Sequence, residues 1–189
     1  MEMKFVAQQR VLGLSECERL CGRRSIELED LASRAGWCGV PGTGSPLSVS
    51  VGTALNMLVL SIAKRDGVET QAMAGSLPGL RDAALLELGA DISNWSFHGP
   101  YEAEQQFWPI LYGSREAVRP RIAPLLGCYS NSLTRELRFF SPSDIERLTD
   151  NWSEQRRSER TPRFTIFAHS LAQQIQATCG SPLFTARPA

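Results

Sequence analysis

Apolar residues recur at helical spacing near the start of the chain, and glycine interrupts them twice. One stripe ends at Gly22 and consists of Leu14, Cys17, Leu20 and Cys21. A second stripe ends at Gly36 and consists of Leu28, Leu31, Ala32 and Ala35. Because residues three and four apart share one face of a helix, the pattern predicts two short amphipathic helices, with Ser15 and Ser25 as their N-caps.

The pattern changes after the second stripe. Five glycines and prolines fall between residues 39 and 46, which predicts a loop tip. Residues 47–51 alternate between apolar and polar side chains, as a half-exposed strand does. The next segment, 54–65, is apolar on nearly all sides. It predicts a helix that is packed between two layers, with Thr53 as its N-cap.

The order of helix, turn, helix, loop, strand and helix resembles the MerR-type winged helix-turn-helix over roughly the first 75 residues. This resemblance implies a DNA-binding transcriptional regulator, with its second helix in the major groove of double-stranded DNA and its loop near the phosphates. The residues that it implies for DNA contact are Arg23, Arg24, Ser25, Arg34, Thr43 and Ser45. Guanidinium groups suit this role because they bind phosphate oxygens and the acceptor edge of guanine.

Two features of the same segment favour a different function. The outward face of the predicted second helix carries Glu27 and Asp30 beside Arg34, and phosphates repel carboxylates. The predicted loop between residues 39 and 45 contains no basic residue. The alternative is therefore a protein-interaction module that keeps a winged-helix fold without binding DNA, with Glu27 and Asp30 as polar contacts.

The second half of the chain has a different composition. Residues 91–112 are rich in aromatic side chains, interrupted by Gly99, Pro100 and Pro109, and predict a second core. A serine, a proline and an acid at residues 141–144 predict a helix start. The tail predicts a strand over 164–167, a helix that ends at Gly180, and an extended segment over 183–185.

These elements predict a mostly helical α+β protein with two domains. Residues 1–90 are expected to form the winged helix-turn-helix-like domain. Residues 91–189 are expected to form a small mixed α/β domain for dimerisation or partner binding. The protein is expected to act as a homodimer, and its partner is either double-stranded DNA or another protein.

The overall charge and the cysteines restrict the setting in which the protein acts. Twenty basic residues balance twenty acidic ones, so DNA contact needs a local basic patch.

The five cysteines are an odd and scattered set, which is typical of reduced thiols in the cytoplasm. The most apolar segment, residues 54–63, is shorter than the roughly 20 residues of a membrane span. A cytoplasmic protein with no membrane contact is expected.

The sequence offers little for metal binding or catalysis. Cys17, Cys21 and Cys38 are possible metal ligands, but no fourth ligand is evident, and the first two complete an apolar helix face. His98 and His169 are the only histidines, and neither lies in a nucleophile motif. We therefore expect no metal, no cofactor and no catalytic residue, and the sequence favours a protein that is not an enzyme.

Overall fold

The computed structural model describes residues 3–36, 47–68, 70–118, 126–130, 136–140 and 162–189. The helices are α1 Leu14–Cys21, α2 Ser25–Arg34, α3 Val51–Arg65, α4 Thr70–Met73, α5 Leu77–Ala90, α6 Tyr101–Val118 and α7 Ala168–Cys179. The strands are β1 Phe5–Gln9, β2 Val11–Gly13, β3 Ser48–Ser50, β4 Trp95–Phe97, β5 Leu126–Ser130, β6 Glu136–Phe140, β7 Pro162–Phe167 and β8 Phe184–Pro188. This arrangement of helices and mixed sheets confirms the predicted α+β class.

Helices α1, α2 and α3 form the first unit of the fold, together with a two-stranded antiparallel sheet of β2 and β3. As predicted, α1 ends at Gly22, whose φ of 60° is left-handed and suits a residue without a Cβ. The predicted loop tip over residues 39–46 lies outside the described residues. Strand β2 and helices α1 and α2 precede this segment, and strand β3 and helix α3 follow it.

The three predicted N-caps of this unit are wrong by one to three positions. The N-cap of α1 is Gly13, and its main-chain N–H donates to the Glu16 carboxylate at 3.1 Å. The N-cap of α2 is Arg24, whose side chain makes no capping bond, and Ser25 is the first residue of the helix. The N-cap of α3 is Ser50, whose hydroxyl accepts from the Thr53 N–H at 3.2 Å. In this case the serine that ends β3 performs the capping that the sequence assigned to threonine.

Helix α3 is the centre of the main core. Its side chains are buried on opposite faces, including Leu55, Leu58 and Val59 on one face and Met57 and Leu60 on the other. Helices α1, α2, α5 and α7 pack around it. The prediction that this helix lies between two layers is confirmed, because only a helix enclosed on several sides can bury apolar residues all round.

Helices α5 and α6 each contain residues of low helix propensity. Helix α5 has Pro78 in its first turn, where proline is tolerated, and continues through Gly89 to Ala90. Helix α6 contains Pro109 in its interior. Proline and glycine lower helix propensity, but packing of the helix as a whole outweighs these local costs.

The second sheet places β8 between β1 and β4, antiparallel to the former and parallel to the latter. Helix α6 covers this sheet with aromatic side chains, and the predicted second core is confirmed here. Its buried members are Phe107, Leu111 and Ala186, and Phe5, Ile92, Trp95, Phe97 and Trp108 pack against them. A third sheet has the strand order β6, β5, β7, with antiparallel pairs.

The C-terminal helix belongs to the main core. Leu171, Ala172 and Ile175 of α7 are buried in the same cluster as the apolar residues of α1, α3 and α5. The predicted domain boundary after residue 90 stays a prediction, and these contacts join the described C-terminal segment to the N-terminal core. The predicted helix start at residues 141–144 lies outside the described residues.

Candidate interaction site around the helix-turn-helix

Helices α1 and α2 are held in place at the turn between them and at the far end of α2. The Gly22 N–H donates to the Glu18 carbonyl at 2.9 Å and closes α1. At the far end of α2, the buried Asn56 side chain donates to the Ala35 carbonyl at 3.1 Å. Leu28, Leu31 and Ala32 anchor α2 to the core between these two points. The opposite face of α2 is thereby fixed toward solvent.

The residues predicted to contact DNA lie in three different settings. Arg23 is half-buried: its Nε donates to Ser61 Oγ at 3.4 Å, and its Nη1 lies 3.8 Å from Glu27 Oε2. Arg24 and Ser25 are exposed at the start of α2. Thr43 and Ser45 lie outside the described residues, and their role stays a prediction.

Arg34, the last residue predicted to contact DNA, lies at the far end of α2. Its Nε donates to Asp30 Oδ1 at 3.0 Å, and its Nη1 donates to Thr70 Oγ1 at 3.2 Å. Two of the three predicted DNA-contacting arginines therefore have an acid of α2 as a partner. Any DNA phosphate must compete with these carboxylates for the guanidinium groups.

The exposed face of α2 contains a large apolar side chain that the sequence interpretation missed. Ile26 is 84% exposed, and the acids Glu27, Glu29 and Asp30 follow it within the next turn. The Glu29 carboxylate makes no hydrogen bond or ion pair with the described residues. The exposure of Ile26 could have been predicted from the sequence, because this residue does not share the helix face of the apolar stripe that begins at Leu28.

A cleft of about 400 Å³ lies on the other side of the turn, between α1, α3 and α7. Three arginines line it, Arg19, Arg23 and Arg65, together with Ser61 and Gln174. The Ser61 hydroxyl donates to the Cys21 carbonyl at 2.7 Å, which fixes the wall made by the end of α1. Sequence spacing gives no signal for this cleft, because its residues come from three helices that are far apart in the chain.

The cysteines of α1 are part of the core. Burial raises the pKa of both Cys17 and Cys21 to about 12, so these thiols stay protonated even at the mildly alkaline pH at which an ordinary thiol ionises. The expectation that they complete the apolar face of α1 is confirmed. Within the described part of the chain, no group of three histidine, cysteine or acidic residues is arranged to hold a metal ion. Cys38 lies outside that part.

The two histidines lie at the surface. The Nδ1 atom of His169, at the start of α7, lies 2.6 Å from Glu87 Oε1 of α5. His98 is exposed beyond the end of β4. This contact connects α5 and α7 at the protein surface.

No family model matches this chain, and no significant similarity to a curated protein is found. The resemblance to MerR-type domains accordingly stays a prediction. Among the described helices, none combines the length and apolar character needed to cross a membrane.

Proposed function

We propose that helices α1 and α2 form a protein-interaction module, and that the exposed face of α2 binds a protein partner. The observation that carries this proposal is Ile26, which stands 84% exposed beside the acids of α2. Burying an isoleucine side chain against a partner stabilises a complex by roughly 1.5–3 kcal/mol. The surface that fits it is an apolar hollow bordered by lysine or arginine.

The charges of the helical unit support a protein partner over DNA. Residues 14–66 carry as many acidic as basic side chains: Glu16, Glu18, Glu27, Glu29, Asp30 and Asp66 against Arg19, Arg23, Arg24, Arg34, Lys64 and Arg65. Non-specific affinity for DNA comes from phosphate neutralisation by lysine and arginine. A unit with no net charge has little of this attraction.

The test uses a photo-crosslinking amino acid in place of the exposed Ser25, followed by purification of the captured protein. Its affinity for the whole chain is then measured with two variants. Ile26→Glu is expected to weaken binding by roughly tenfold or more, because it places a charge in the apolar contact. Ile110→Glu is the matched control, since Ile110 is also exposed, at 51%, but lies on α6.

The proposal requires that Ile26→Glu weakens binding of the partner and that Ile110→Glu does not. Equal weakening by both variants, or by neither, contradicts the proposal for α2. Capture alone does not support it, because an exposed crosslinker also reacts with chance neighbours.

DNA binding by a homodimeric regulator is the second proposal. It is favoured by Arg19 and Arg24, which are exposed near the turn and form no ion pair with the described residues. On this proposal, fluorescence anisotropy with a mixed-sequence duplex shows binding that falls steeply with salt, and Arg24→Ala weakens it. Light scattering at the same concentrations gives the oligomeric state. No binding at low salt contradicts the DNA proposal and leaves the protein partner.

A further inference from the structure

We propose that the cleft between α1, α3 and α7 binds a small molecule with a phosphoryl group. Its three arginines come from separate places: Arg19 from α1, Arg23 from the turn and Arg65 from the end of α3. A volume of about 400 Å³ falls within the range of small-molecule sites. This inference is independent of the partner proposed for α2.

The charges inside the cleft are of one sign. No aspartate or glutamate is among the described residues that line it. Arg19 forms no ion pair with the described residues, and the other two arginines each have one acid at the surface. These are Glu27 at 3.8 Å from Arg23 and Asp66 at 3.0 Å from Arg65. The cleft therefore holds three cations whose charge is only partly compensated, which favours an anionic ligand.

The donors and the walls indicate the chemistry of that anion. Each guanidinium presents several N–H donors in a fork that fits phosphate oxygens in pairs. The Nε of Arg23 is already directed to the Ser61 hydroxyl at 3.4 Å, which orients this guanidinium. Leu58 and Ile62 add an apolar wall. The combination fits a phosphate monoester that also carries an apolar or aromatic group.

The experiment is isothermal titration of the full chain with phenyl phosphate, and with inorganic phosphate as the simpler probe. The double variant Arg19→Ala/Arg65→Ala is expected to weaken phenyl phosphate binding by roughly tenfold or more. Both arginines are exposed at the surface, so this variant should retain its helical circular dichroism and thermal midpoint. Lys64→Ala is the matched control, because Lys64 is an exposed cation next to Arg65 that does not line the cleft.

The pH dependence gives a second readout. A phosphate monoester gains its second charge near pH 6, so the affinity should rise between about pH 5 and 7. Sulfate has no such transition and serves as the control ligand.

Three results overturn the proposal: no heat of binding at millimolar phenyl phosphate, equal affinity in the double variant, or equal weakening by Lys64→Ala. A duplex DNA of mixed sequence forms the other arm. If DNA displaces phenyl phosphate from the wild-type chain, and binds it more tightly than the monoester does, the cleft is a contact for DNA phosphates and the small-molecule assignment is wrong.

Discussion

The Ser61 hydroxyl of α3 donates a 2.7 Å hydrogen bond to the main-chain carbonyl of Cys21, the last residue of α1. Both groups are buried, and Ser61 also accepts from the Arg23 guanidinium at 3.4 Å. The last carbonyls of a helix have no partner within the helix. This serine therefore joins the end of α1 to the central helix of the core.

Ser61→Ala is expected to lower the free energy of unfolding by about 1–3 kcal/mol, because the buried Cys21 carbonyl loses its side-chain donor. Urea denaturation followed by circular dichroism measures the change. Ser33→Ala, on the exposed face of α2, is the control and should change stability by less than about 0.5 kcal/mol. Equal effects of the two substitutions would show that the buried bond contributes nothing.

Gly22→Ala is expected to destabilise the protein by about 1–2 kcal/mol, because an L-residue pays a steric cost at a φ of 60°. Apart from Gly22 itself and its two chain neighbours, no atom of the described residues lies within 4 Å of the position where the new Cβ would be built, so the cost is conformational and not a clash. Gly113→Ala gives the opposite sign. This glycine lies in α6 with equally open space, and alanine there should stabilise by about 0.5–1 kcal/mol. Thermal unfolding of both variants checks the two signs.

The thiols of Cys17 and Cys21 should resist alkylation by iodoacetamide in the native protein at pH 8, because burial raises the pKa of each to about 12. Mass spectrometry of digested samples measures the labelling, and both residues should react once guanidinium unfolds the chain. Modification of either in the native state, at the rate of a free thiol, contradicts the assignment.

The same pKa shifts give a pH dependence of stability. Protonated thiols are favoured in the folded state, so their stabilising effect is complete below the ordinary pKa of 9.0. It is lost as the pH rises from there toward 12.

The sequence predicted the helices of the N-terminal part well, because apolar spacing and glycine define them locally. The end of α1 at Gly22 and the enclosure of α3 follow directly from this pattern. Caps and breaks were predicted less well. Ser50 and Thr53 are both good N-caps, and the choice between them depends on where the β3 pairing stops. Pro109 lies inside α6 because burial of Phe107 and Leu111 holds the helix on both sides of it.

The sites were harder to predict than the fold. No motif or spacing in the sequence links Arg19, Arg65 and Gln174. They line one cleft only because α1, α3 and α7 pack together. The charge pattern of α2 was readable, since Glu27 and Asp30 are four residues from Arg23 and Arg34 on a helix. The sequence indicated that Glu27 and Asp30 face outward, and the structure adds their ion pairs with Arg23 and Arg34.

The burial of α7 against α1, α3 and α5 also determines the order in which the chain is able to fold during translation. Helices α1 and α3 leave the ribosome long before α7 is synthesised, and until then the apolar side chains that α7 covers lack this partner. The nascent chain therefore passes through a stage in which it is prone to non-native association and suited to chaperone binding. Residues near the end of the sequence complete a core that was begun near its start.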